Sequence, residues 1–409
     1  MKIAVLSLLM ITLTGRGEVQ YQPGNVSDLS GAYQKEIITG ADQTEKYLPY
    51  LKGKRIGMVV NPSSQIAGKA SVDSLQSLDV NIVKIFGPEH GFRGDASNGA
   101  KINDSVDPKT GIQVISLYGK TGKPESKDLA EIDLMIYDLQ DVGARYYTYL
   151  ATLHRVMEAC AENNKELLIL DRPNPNGYMV DGPVLDMKLK SGIGFHPVPI
   201  AHGMTVGEYA RMINGEGWLA GGIKCRLKIV SVANYRHAMP YTLPVHPSPN
   251  LNTQQSVLLY PSLCLFEGTI ISQGRGTYFP FCVLGNPDLK EKYEFSFTPV
   301  GIKGMSETPL FENETCYGLD LRDYDTQKLV KSKHINLSWL IEMYKAYPFK
   351  ERFFDFKQSK QIGNFDKLAG TTDLKEQIIA GKTEAEIRKS WEPKLSQFKK
   401  MRQQYLLYL

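Results

Sequence analysis

Val80-Asn81-Ile82-Val83-Lys84-Ile85-Phe86, followed by Gly87-Pro88-Glu89-His90-Gly91-Phe92-Arg93-Gly94, is the stretch on which the fold turns. The first seven residues are largely apolar and read as a buried strand, and the remainder reads as the loop leaving it. Gly87, Gly91 and Gly94 admit turn conformations closed to other residues, and Pro88 fixes φ just before the carboxylate, so Glu89 and His90 are presented in a defined geometry. A plainer reading has these two side chains pair only with each other and peg a turn. In open α/β sheets ligands bind beyond the carboxyl ends of strands, which makes this loop, with Arg93 close behind, the first candidate for a site.

Outward from that loop, the run at 55–60 is also apolar and closes at Asn61-Pro62, with a helix at about 71–78 between the two runs. Strand, helix and strand at this spacing form a βαβ unit and predict a parallel sheet. A short helix over 41–48, stopped by Pro49, precedes them. Further strands are expected at 113–117, 133–137, 166–170 and 227–232. Helices are expected at 147–162 and 205–214, the second with Thr205 and Glu208 at capping-box spacing. Three strands then end in polar loops: Glu89-His90, Asp138 with Asp141, and Asp171-Arg172. Parallel strands bring those ends to one edge, so the carboxylates converge although they lie far apart in sequence. Beyond about residue 251 the strands, at 293–299 and 317–321, are shorter and alternate, as in a smaller α+β unit. The segments 337–347 and much of 374–407 read as amphipathic helices.

The 409 residues suffice for two or three domains, and 42% hydrophobic with 22% charged residues excludes a disordered or polytopic membrane chain. A scattered net charge of +4 argues for neither nucleic acid nor a membrane surface. Met1-Lys2, the apolar run 3–13 and Thr14-Gly15 have the form of a secretory signal over 1–15, so export to the periplasm or exterior is expected, with 16–40 as linker. The run is too short for a stable membrane span, and no cysteine follows it for lipid attachment. If 1–15 were instead a short buried element, the protein would be cytoplasmic. Cys160, Cys225, Cys264, Cys282 and Cys316 are odd in number and widely spaced, and read as small core residues.

No strand is followed by Gly-x-Gly-x-x-Gly, no Gly-x4-Gly-Lys-Ser/Thr occurs, and there is no Gly-x-Ser-x-Gly elbow. His196, His202 and His246 lie in Pro- or Gly-flanked loops without His-Glu-x-x-His or cysteine pairs, so no metal is expected. Carboxylates with arginines and aromatics remain, which is equipment for sugars. Glycoside cleavage needs a protonated carboxyl for the leaving oxygen, and a second carboxylate or the substrate's own acetamido group for the cationic transition state. Glu89, Asp138, Asp141 and Glu267 are the candidates. Gly143-Ala144-Arg145-Tyr146-Tyr147-Thr148-Tyr149 offers aromatic faces and a cation, unless Tyr147 and Tyr149 begin the helix and pack inward. Arg275, between glycines in Ser272-Gln273-Gly274-Arg275-Gly276-Thr277, reads either as an anion holder or as part of a surface turn.

Gly87-Pro88-Glu89-His90-Gly91, Asp138-Leu139-Gln140-Asp141-Val142-Gly143-Ala144-Arg145-Tyr146-Tyr147, Leu170-Asp171-Arg172-Pro173-Asn174-Pro175, His202-Gly203-Met204-Thr205, Pro247-Ser248-Pro249-Asn250 and Glu267-Gly268-Thr269 with Gly274-Arg275-Gly276-Thr277 occur in this order. They resemble the NamZ-type exo-β-N-acetylmuramidases, from about Gly40 onward. The resemblance implies an α/β fold, with a Rossmann-like parallel-sheet N-terminal domain (41–251), a smaller α+β C-terminal domain (252–409) and a cleft between them. It implies an exported enzyme that removes terminal N-acetylmuramic acid from peptidoglycan-derived saccharides and uses no cofactor. By motif, Glu89 becomes the general acid with His90 orienting it, and Glu267 the second carboxylate. Arg93, Arg145, Arg172 and Arg275 are the cations open to the lactyl carboxylate. Asp138 and Asp141 would hold sugar hydroxyls or fix Arg145, while Tyr146, Asp171, Asn174, His202 and Asn250 count as substrate-binding positions. Two alternatives stand beside this reading: an exo-hexosaminidase of other specificity, and a non-catalytic binder of wall fragments.

Overall fold

A computed structural model describes residues 35–89, 91–93, 104–118, 122–354 and 365–409. The signal-like segment, most of the linker and His90 therefore lie outside the described residues. In chain order the N-terminal part runs α1 (Thr44–Leu51), β1 (Ile56–Val60), β2 (Gln65–Ile66), β3 (Lys69–Ala70), α2 (Ser71–Gln76), β4 (Ile82–Gly87), β5 (Ser105–Val106), β6 (Gln113–Ser116), α3 (Ser126–Leu129), β7 (Leu134–Asp138), α4 (Tyr149–Glu162), β8 (Glu166–Leu170), α5 (Val206–Gly215) and β9 (Arg226–Val230).

Seven of these strands form one sheet in the order β5-β6-β4-β1-β7-β8-β9, parallel throughout except for β5. Leaving β5 aside, the parallel strands stand as third, second, first, fourth, fifth and sixth, which is the Rossmann order, and the winding reverses between β1 and β7. The crevice beyond the carboxyl ends of those two strands is where such folds bind ligands.

The burial of the strands follows from their position. All five residues of β1 and of β7 are buried, as a strand covered on both faces requires, whereas edge strand β9 alternates between exposed and half-buried positions until Val230. Ile56, Met58 and Val60 of β1 face a core with Tyr47 and Leu51 of α1 and Val72 and Leu75 of α2. Val59, Met135, Tyr137, Leu167 and Ile169 face the opposite layer, built on α4 and α5. One residue's shift along a strand changes the face, so these two cores fix the register.

The C-terminal part contributes α6 (Gln254–Leu263), a 3₁₀ turn at Cys264–Gly268, β10 (Val283–Asn286), β11 (Ser296–Phe297), β12 (Cys316–Asp320), α7 (Gln327–Ser332), α8 (Ser338–Ala346), α9 (Phe365–Ala369), α10 (Asp373–Ile379) and α11 (Glu384–Gln403). Its strands form a small antiparallel sheet ordered β10-β12-β11. Leu284, Leu340, Phe353, Ile387 and Trp391 join the same apolar core as α4 and α5, so this part packs directly on one layer of the main sheet. All five cysteines are free and buried.

Local departures from the sequence expectations have physical causes. Pro49 lies inside α1 rather than ending it, because the helix stops two residues later and only one N–H is lost. The run 374–407 divides into α10 and α11 around Gly381, whose φ of +71° breaks the helix. The strand expected over 293–299 shrinks to Ser296–Phe297, which stands opposite Tyr317 and Cys316 of β12.

Candidate active site

The loops leaving β1 and β7 are tied together before any charged side chain enters. Asn61 accepts at Oδ1 from the Ser63 N–H (3.0 Å) and hydroxyl (2.6 Å), and its Nδ2 donates to the Tyr149 hydroxyl at 2.7 Å. The Ser63 hydroxyl in turn accepts from Gln140 N at 3.3 Å, and the Ser64 hydroxyl donates to the carbonyl of Asp138. The two loops are thus joined by a hydrogen-bonded network of Asn61, Ser63, Ser64, Gln140 and Tyr149.

Glu89 follows β4 and is half-buried, and its Oε2 accepts from the Thr148 hydroxyl at 2.9 Å. Tyr147 and Tyr149 are both buried, pack edge to face at 4.7 Å and donate to the Pro247 carbonyl at 3.0 and 3.2 Å. Burial pushes the Tyr149 phenol above its ordinary range, and the negative charges of Glu89 and Asp141 add to that rise. It therefore stays protonated and can donate and accept at once.

At the ends of β7 and β8, Arg172 Nε donates to Asp138 Oδ1 at 2.6 Å, with both side chains buried, and Arg172 Nη2 donates to the Gln65 carbonyl at 2.9 Å. Asp138 Oδ2 has no hydrogen-bond partner. Asp141 Oδ2 accepts from Gly143 N at 2.6 Å and lies 3.5 Å from His202 Nε2. His202 Nδ1 accepts from Met204 N at 3.2 Å, which assigns the ring proton to Nε2, facing Asp141. Gly143 has φ +78°, and a Cβ there would lie 2.3 Å from Asn174 Oδ1, so only glycine allows Asn174 to close this turn. Asn174 Nδ2 donates to the Met204 carbonyl at 2.9 Å. Asp171 serves the start of α5: its carboxylate accepts from Gly207 N (2.8 Å), the Thr205 hydroxyl (2.7 Å) and the Tyr408 hydroxyl (2.6 Å).

Glu267, in the turn after α6, is buried and accepts at Oε1 from Arg275 Nε (2.6 Å) and Gln273 Nε2 (3.1 Å). Arg275 keeps Nη1 without a partner. The other arginines are engaged elsewhere. Arg145 donates to the carbonyls of Pro183 and Val198 (2.9 Å each) and Leu368 (2.7 Å), so main-chain oxygens hold it rather than Asp138 or Asp141. Burial lowers its guanidinium to about 10. Arg93 forms a fork on Asp107 at 2.9 and 2.8 Å and reaches Asp73 at 3.3 Å. The Tyr146 hydroxyl donates to the Pro261 carbonyl, and Asn250 Nδ2 donates to the Met305 carbonyl at 2.9 Å.

The fold therefore pairs Asp138 with Arg172, Asp141 with His202 and Glu267 with Arg275, and holds Glu89 separately through Thr148. Asn61, Thr148 and the Tyr149 phenol are additions to the site. A threonine directly before a helix carries only a capping signal in sequence, and nothing marks it as the partner of a carboxylate 59 residues away. Among the described residues no group of three or more His, Cys, Asp or Glu could hold a metal ion, and no helix is long and apolar enough to cross a membrane.

Comparison with known proteins gives concordant matches. The family models for the N-terminal and C-terminal parts of the exo-β-N-acetylmuramidase NamZ match residues 56–255 and 258–408. The peptidoglycan β-N-acetylmuramidase NamZ of Bacillus subtilis (strain 168) is 39% identical over 394 residues, covering 92% of each chain. Two crystal structures of DUF1343 family proteins from Bacteroides fragilis superpose with TM-scores of 0.83 and 0.77, at 42% and 29% identity. Each covers 91% of this chain and 99% of its own.

Proposed function

The chain belongs to the NamZ family of exo-β-N-acetylmuramidases, and from that premise we propose that it removes N-acetylmuramic acid from the non-reducing ends of peptidoglycan fragments, with Glu89 as the general acid. It is a glycoside hydrolase by the extent of that kinship. The observation that supports Glu89 is its place: a half-buried carboxylate beyond β4, beside the switch-point crevice, with one oxygen held by Thr148. Glu267 is the second carboxylate in this reading. Its Oε1 already accepts from Arg275 and Gln273, an arrangement that suits support of a cationic transition state better than proton donation. We assign the lactyl carboxylate to Arg275, whose Nη1 is unspent. His90 is the neighbour that orients the acid, and the signal-like start directs the enzyme out of the cytoplasm.

The test is release of N-acetylmuramic acid from the β-1,4-linked N-acetylmuramyl-N-acetylglucosamine disaccharide, with the N-acetylglucosamine disaccharide alongside. The parent should cleave the first, and Glu89→Gln should lose most of that rate. Arg275→Met should lose more on the muramyl substrate than on any glucosaminyl one. An unimpaired Glu89→Gln enzyme would move the acid to Glu267 or Asp141, and binding without release would make the protein a sugar binder.

A further inference from the structure

Thr148 stands at the N-cap position of α4, where a threonine hydroxyl normally accepts from a backbone N–H in the first turn. Here it makes no capping bond. Its hydroxyl instead donates to Glu89 Oε2 at 2.9 Å. The backbone beneath it is pinned, because the Tyr137 hydroxyl donates to the Tyr149 carbonyl at 2.8 Å and the Tyr149 hydroxyl is held by Asn61 at 2.7 Å. A cap residue has been diverted from its helix to a carboxylate on another strand's loop.

We propose that Thr148 is the positioning residue of the acid: by occupying Glu89 Oε2 as an acceptor, it makes Oε1 the oxygen that carries the proton and delivers it. This rests on Glu89 being the general acid. In the protonated carboxyl, the oxygen that accepts the Thr148 O–H is the carbonyl oxygen, so the acidic hydrogen belongs to the other. During cleavage the Oε1 proton passes to the glycosidic oxygen, which also takes the electron pair of the breaking C1–O bond. Positive charge develops on the sugar ring, and the pair of the former O–H bond remains on Glu89 as carboxylate. The Thr148 hydrogen bond then changes from neutral to charge-assisted, and so strengthens in the transition state. Such a contact raises kcat and leaves KM nearly untouched.

The experiment compares Thr148→Val, Thr148→Ser and Glu89→Gln on two substrates: the muramyl disaccharide, whose alkoxide leaving group needs the proton, and 4-nitrophenyl β-N-acetylmuramide, whose leaving group needs it less. Thr148→Val should lower kcat about tenfold on the disaccharide, as expected for loss of one bond to a developing charge, with little effect on the nitrophenyl glycoside. Without a donor favouring the ionised carboxylate, the alkaline limb of its kcat/KM profile should move to higher pH. Thr148→Ser should restore both. An inactive Glu89→Gln with a Thr148→Val enzyme of parental kcat and unmoved limb overturns the role of Thr148 alone. Equal losses on both substrates with a lowered melting point also overturn it, by making Thr148 a structural residue. A fully active Glu89→Gln overturns the acid itself.

Discussion

Arg172 Nε lies 2.6 Å from Asp138 Oδ1 with both side chains buried, so the ends of the neighbouring strands β7 and β8 are joined by an ion pair shielded from water. Removing one partner strands the other charge. Arg172→Met should cost about 3–5 kcal/mol in urea unfolding, and the double variant Asp138→Leu/Arg172→Met should recover most of it. A single-variant cost below about 1 kcal/mol would mean that the site absorbs water readily and that the pair stabilises little.

Two buried groups tilt the pH dependence of stability in opposite directions. Burial raises the Asp171 carboxyl to about 6 and lowers the His154 imidazole to about 4. Folded Asp171 keeps a proton that the unfolded chain has lost, so its contribution is full below about 4 and is lost as the pH rises through 6. His154 stays neutral where the unfolded imidazole protonates, so its contribution is full above about 6.5 and is lost as the pH falls toward 4. Each effect amounts to at most about 3 kcal/mol. Asp171→Asn should steepen the loss of stability between pH 6.5 and 4, and His154→Gln should flatten it. Urea midpoints across that range decide, and parallel curves for all three proteins would rule out both groups.

The Arg93 fork holds the Asp107 carboxyl down at about 2. The stability it brings is complete above about pH 4 and disappears as the pH falls through 2. Asp107→Asn should therefore cost about 2 kcal/mol at pH 7, and the gap from the parent should narrow as the pH falls below 4. A gap independent of pH would assign the cost to lost hydrogen bonds instead of charge.

Arg145 is held by three carbonyls from three segments, and Gly370 abuts it: a Cβ at Gly370 would lie 2.6 Å from Arg145 Nη2, on a backbone with φ +79°. Gly370→Ala should destabilise by about 2 kcal/mol or more through the left-handed strain and the displaced guanidinium. Arg145→Met should cost more, because it leaves buried carbonyls unpaired. Thermal melts of both variants test the order, and a milder Arg145→Met would contradict it.

The central strands were legible because β1, β4, β7 and β8 are apolar runs long enough to be covered on two faces. The loops that end β4, β7 and β8 displayed Glu89, Asp138 and Arg172 for the same reason. Strand β5, with only Ser105 and Val106, both exposed, had no pattern to read. Distance hid the partners of Arg145, which Leu368 reaches across 223 residues. Asp107 lies only 14 residues from Arg93, but on the turn of the β5–β6 hairpin, which had no pattern to read. Sequence marks which charges stand at strand ends. It does not reveal whether a guanidinium faces the crevice or is already spent on the chain.

Tyr408 closes on Asp171 across 237 residues, and the Leu407 and Tyr408 amides close on Glu208. These two buried carboxylates are therefore satisfied only when contacts across about 200 residues have formed, which are costly loops to close. The strand pairs of the main sheet need no residue beyond Val230, so the β8–α5 corner is the place in that layer where buried carboxylates draw their partners from Leu407 and Tyr408.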